Sequence, residues 1–111
     1  MSKVRPPEEI ILDACCLISL VGTRCFRDIL VALPLRFLVA RYVCDREALY
    51  TLVDPSTSQT ERIDLEPLIV EGLIHVVDLE TDAEAATMVE LATKIEHGEA
   101  HTCALAVHRG Y

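Results

Sequence analysis

Tryptophan is absent from this 111-residue chain, aromatic side chains make up only 5% of it, and glycine occurs four times. With 51% of residues hydrophobic, the core must be built from aliphatic side chains, and the length suits one domain. Five cysteines are scattered without a C-x-x-C pair, which argues against a disulfide framework and a structural zinc site. No apolar run approaches the roughly 18 to 20 residues of a membrane span. The nearest, residues 29–40, is interrupted by Pro34 and Arg36. Met1 to Pro7 lacks the apolar core of a secretion signal, so a cytoplasmic protein with no membrane partner is expected. Basic residues are scarce in the second half. Residues 1–55 hold seven Lys/Arg and seven Asp/Glu, residues 56–111 hold three and eleven, and the net charge is −8. Such a chain does not attract nucleic acid through its overall field. RNA contacts would have to come from the first half, with Arg24, Arg27, Arg36, Arg41 and Arg46 as candidates and Arg41 and Arg46 the best placed.

What the sequence does contain is a set of carboxylates at junctions between elements. Asp13 follows the apolar run Ile10-Ile11-Leu12 and precedes Ala14 to Leu20, so it reads as the end of a buried parallel strand entering a helix. In open α/β sheets that position borders the ligand crevice. Glu47 follows Phe37-Leu38-Val39-Ala40 and is expected in the first turns of a helix running to about Val53, with Asp45 as its N-cap. Glu99 follows Gly98 at the start of a helix through Val107. The favourable helix dipole explains Glu47 and Glu99 individually.

The stretches IILDACCLISL, VCDREAL and HGEAHTCALA, in that order, resemble the PIN-domain family of metal-dependent ribonucleases from about Glu9 to Tyr111. The likeness is to the bacterial and archaeal branch that includes the toxins of toxin–antitoxin pairs. It implies a three-layer α/β/α fold around a mostly parallel sheet, with residues 1–8 as a tail and 9–111 as the domain. It makes Asp13, Glu47 and Glu99 the catalytic, metal-binding acids for Mg²⁺ or Mn²⁺, RNA the substrate and a small antitoxin the partner. Two departures stand out. Cys15 occupies the place of the family's Ser or Thr, and the chain ends before the strand that carries a further acid. The expectation is therefore a domain incomplete at its C-terminus, of doubtful activity, with an unpaired sheet edge that favours a homodimer. The rival expectation is a non-catalytic PIN-like interaction module or an inactive remnant.

Carboxylates crowded together repel and raise one another's pKa unless a cation neutralises them, and Mg²⁺ and Mn²⁺ prefer oxygen ligands. Other chemistries fit less well. His97-Gly98-Glu99-Ala100-His101 has Gly98 where a zinc-protease helix needs its glutamate, and Glu99 points away from the His97 face. A response-regulator domain with Asp13 as phosphoacceptor needs paired acids and a late lysine outside a helix, whereas Lys94 lies within one. Cys15 and Cys16 have no base nearby in sequence and read as small apolar residues of a buried helix.

The remaining pattern predicts alternating elements. Thr23 reads as the N-cap of a helix ended by Pro34, and Leu35 to about Arg41 as strand two. Residues 54–60 read as a loop, 65–71 as a short helix and 73–79 as strand three. Thr81 and Glu84 form a capping box for a helix to about Ile95, buried through Ala85, Met88, Val89, Ala92 and Ile95, with Asp82, Glu84 and Glu90 on its wet face. There is no internal repeat.

Overall fold

The computed structural model describes residues 8–46, 50–54, 56 and 59–111. The chain runs through β1 (Glu8–Leu12), α1 (Ala14–Gly22), α2 (Phe26–Ala32), β2 (Leu35–Ala40) and α3 (Arg41–Arg46). It continues through β3 (Tyr50–Asp54), β4 (Gln59–Arg62), α4 (Glu66–Val70), β5 (Ile74–Val77), α5 (Asp82–Leu91) and α6 (His97–Arg109). It is a mixed α/β chain with a small parallel sheet of order β1-β2-β5 and a separate antiparallel β3-β4 hairpin.

β2 is central because its sequence permits burial on both faces. Phe37, Leu38, Val39 and Ala40 form an unbroken apolar run, each exposed by 4% or less. Leu12 stands opposite Val39, and Val39 and Ala40 stand opposite Val76 and Val77. The carboxyl ends of all three strands therefore open on the same edge. Leu17 of α1, Val43 of α3 and Leu105 of α6 are fully buried in the core beside this sheet. α6 packs on α5 and also reaches β1, β2 and α3. It ends at Gly110, whose φ of 73° is a left-handed cap that an L side chain adopts only with strain.

Several expectations need correction. Tyr50 to Val53 is a strand of the hairpin, because an aromatic and β-branched run pairs with Gln59–Arg62 across the turn. The loop expected over 54–60 is thus shortened, with Asp54 and Gln59 already paired. The helix after β2 begins at once, at Arg41, so Asp45 sits near its end and is no N-cap. Thr23 caps the C-terminus of α1, and α2 starts at Phe26 after Cys25. Cys15 and Cys16 are exposed, since the first turn of α1 turns Leu17 inward instead. In α5, which stops at Leu91, Val89 is 60% exposed and Glu84 only 3%.

Candidate functional site at the carboxyl ends of the strands

The residue that follows each parallel strand is ionisable: Asp13 after β1, Arg41 after β2 and Asp78 after β5. Asp13 is half-buried and caps α1, accepting a hydrogen bond at 2.7 Å from the Cys16 amide. An acidic side chain is a strong N-cap because it satisfies an amide that the helix leaves unpaired. The same carboxylate pushes the Cys16 thiol above its ordinary pKa, first through a hydrogen bond and then through burial and charge.

Arg41 Nε lies 3.8 Å from Asp78 Oδ2, and its Nη1 lies 3.9 Å from Asp45 Oδ2. Both contacts exceed hydrogen-bonding distance and all three side chains are more than half exposed, so each pair is worth about 0–1 kcal/mol. Arg41 is therefore a positive charge between the strand-end Asp78 and the helical Asp45, able to turn toward another anion. A cleft of about 710 Å³ opens beside it, with Asp45, Arg62 and Asp64 along its walls.

Behind Asp78 the edge is held firmly. Its carbonyl accepts from Arg109 Nη2 at 2.6 Å, and Arg109 also grips Glu84, with Nε–Oε2 at 2.7 Å and Nη2–Oε1 at 3.2 Å. Glu84 closes the capping box as well, accepting from the Glu80 and Thr81 amides at 2.8 and 3.1 Å. Arg109 foremost, followed by these amides, holds the Glu84 carboxyl down at about 2. Glu84 in turn raises the Arg109 pKa.

Of the three acids expected to share a site, the structure places Asp13 at the strand edge and Glu99, exposed, in the first turn of α6. Glu47 lies outside the described residues. Among the described residues no group of three or more His, Cys, Asp or Glu side chains comes together to hold a metal ion. The described part of the expected set offers only carboxylate oxygens, the donor chemistry of a hard cation. Arg46 is exposed at the end of α3, while Arg27 is committed to Glu71 at 2.6 Å. Asp78 escapes the sequence reading, although the rule that selects Asp13, an acid directly after an apolar strand, selects it equally.

Around the corner of the same edge, Tyr42 of α3 stacks on His101 of α6, with ring centroids 4.4 Å apart and 17° between planes. His97 meets Tyr42 edge-on at 6.2 Å. No helix among the described residues is long and apolar enough to cross a membrane. No family model, curated protein or solved structure matches the chain.

Proposed function

We propose that the chain is a PIN-like ribonuclease, three-layered in the α/β/α sense, that hydrolyses RNA phosphodiester bonds with Mg²⁺ or Mn²⁺ held by Asp13, Glu47 and Glu99. The observation that carries this reading is the position of Asp13, half-buried at the carboxyl end of β1 beside the central strand, where open parallel sheets bind their ligands. An activated water and neutralisation of phosphate charge are what such a cation supplies when bound. The chain's own part is positional. Asp13 is fixed by its bond to the Cys16 amide, so its carboxylate meets a ligand without first being ordered. Arg41, held among the described residues only by loose pairs, would take a phosphate oxygen. A small antitoxin carrying an extended basic segment is the partner this reading implies.

A second reading has its own observation. Arg41 already answers two acids, Asp78 at the end of β5 and Asp45 of its own helix, which suits an interaction module that needs no cation. One assay separates the two. RNA cleavage is followed with Mn²⁺, with EDTA, and in Asp13→Asn and His97→Ala purified alongside the wild type. The nuclease reading expects cleavage that EDTA and Asp13→Asn abolish and that His97→Ala retains at saturating RNA. Cleavage persisting in EDTA and lost in His97→Ala would reverse the choice of catalytic groups, and no cleavage by any form favours the interaction module.

A further inference from the structure

We infer that the cleft between α3, α5 and α6 is a nucleobase pocket, taking an unstacked base of single-stranded RNA and preferring adenine or cytosine, which carry an exocyclic amino group where uracil carries the carbonyl O4. The inference rests on the RNA reading and adds a subsite to it. The cleft measures about 510 Å³, inside the range of roughly 300–1,000 Å³ typical of small-ligand pockets. Met88 and Val89 supply an apolar wall, and Tyr42, His97 and His101 supply flat rings. An acidic protein with a weak field for phosphates gains affinity for RNA most directly by stacking, since every base has a π-face and aromatic platforms are a recurrent means of holding single strands.

The Tyr42 and His101 rings are already close to parallel, so the platform is set before any ligand arrives. The wall is open to a ligand. Val89 is 60% exposed on a helix whose other large apolar residues, Met88 and Leu91, are half-buried. Polar chemistry on the rim gives direction. His101 Nδ1 lies 2.8 Å from the His97 carbonyl, and a carbonyl only accepts, so Nδ1 carries the proton and Nε2 of the neutral ring is an acceptor. Thr93, also lining the cleft, spends its hydroxyl proton on the Glu90 carbonyl at 2.7 Å and keeps its lone pairs. A rim of acceptors matches the amino groups of adenine and cytosine and meets the carbonyl O4 of uracil unfavourably. Position links the cleft to the strand edge. Tyr42 is the next residue after Arg41, and His97 and His101 flank Glu99 on α6.

The test uses nucleosides, which carry no phosphate, in EDTA. Adenosine, cytidine and uridine are titrated against the full chain while the C2 protons of its four histidines are followed by NMR. Adenosine and cytidine are expected to shift His97 and His101 and to leave His75 and His108 in place, with uridine at least about fivefold weaker. Tyr42→Ala should weaken adenosine about tenfold and Tyr42→Phe should not. Val89→Glu, at an exposed position, should weaken it without touching the core. Unmoved histidines, or four that move alike, overturn the pocket and leave the surface to a protein partner. Uridine binding as tightly as adenosine overturns the acceptor role of His101. The two proposals fail separately. Nucleoside binding without metal-dependent cleavage sinks the nuclease alone, and cleavage without nucleoside binding sinks the pocket alone.

Discussion

Arg109 Nε sits 2.7 Å from the buried carboxylate of Glu84, and the same guanidinium reaches the Asp78 carbonyl at 2.6 Å, so the last turn of α6 clamps both the start of α5 and the end of β5. The bond is charge-assisted and forked, the geometry in which arginine holds a carboxylate most strongly. Removing Arg109 leaves the Glu84 carboxylate buried without its counter-charge, which costs more than the loss of an exposed pair.

The clamp makes acid stability depend on Glu84. Its carboxyl titrates near 4.5 in an unfolded chain and is held at about 2 when folded, so the contribution is complete above pH 4.5 and is lost as pH falls toward 2. Glu84→Gln is expected to lower Tm by about 5 °C or more at pH 7, because Arg109 loses its short carboxylate partner and keeps the Asp78 carbonyl and the longer, exposed pair with Glu80 at 3.7 Å. It should also flatten the loss of Tm between pH 5 and 3 that the wild type shows. Circular dichroism melts at pH 7, 5, 4 and 3 measure both. Parallel curves for the two proteins would mean that the pair does not couple protonation to folding.

A second expectation concerns Asp13 and the thiol it faces. The carboxylate holds the Cys16 pKa above its ordinary 9.0, so less of the reactive thiolate is present at pH 8. Asp13→Asn keeps an N-cap side chain while removing the charge. In a Cys15→Ser background, iodoacetamide should then alkylate Cys16 faster at pH 8. Asp13→Ala additionally loses the cap and should cost about 1 kcal/mol of stability. Alkylation rates by mass spectrometry that are equal with and without the Asp13→Asn substitution would dissociate the thiol from the cap.

How far the sequence discloses this arrangement depends on how local each determinant is. β2 is legible because four consecutive apolar residues have few alternatives to a doubly covered strand. The Thr81–Glu84 capping box is legible for the same reason, its partners being three residues apart. What the box does not disclose is that Arg109 returns, 25 residues on, to bury Glu84, and so a wet-face residue becomes a buried carboxylate whose Oε1 accepts from two backbone amides and the guanidinium and whose Oε2 accepts from the guanidinium. Tyr50 to Val53 misleads because helix and strand are both locally acceptable there, and the decision rests on pairing with the polar Gln59–Arg62. The stacking of Tyr42 on His101 joins two elements far apart in the chain, and no spacing rule announces it.

The final prediction bears on what the strand edge is for. Arg41 follows the central strand and stands 3.8 Å from Asp78 and 3.9 Å from Asp45, exposed enough that deleting it should change stability by less than about 1 kcal/mol. Its field is another matter. A unit charge about 8 Å from a divalent cation in water opposes it by roughly 1 kcal/mol, about fivefold in affinity. Under the nuclease reading, Arg41→Gln should therefore bind Mn²⁺ several-fold more tightly and RNA more weakly, because the charge that disfavours the cation is also the one that attracts phosphate. Both changes should shrink between about 0.02 and 0.5 M NaCl, as screening shortens the reach of the charge. Calorimetry with Mn²⁺ and a filter-binding assay with RNA in EDTA give the two affinities independently. An unchanged Mn²⁺ affinity at low salt would show that no cation binds within range of Arg41, and Asp78 and Asp45 would then belong to Arg41 itself, as an interaction module requires.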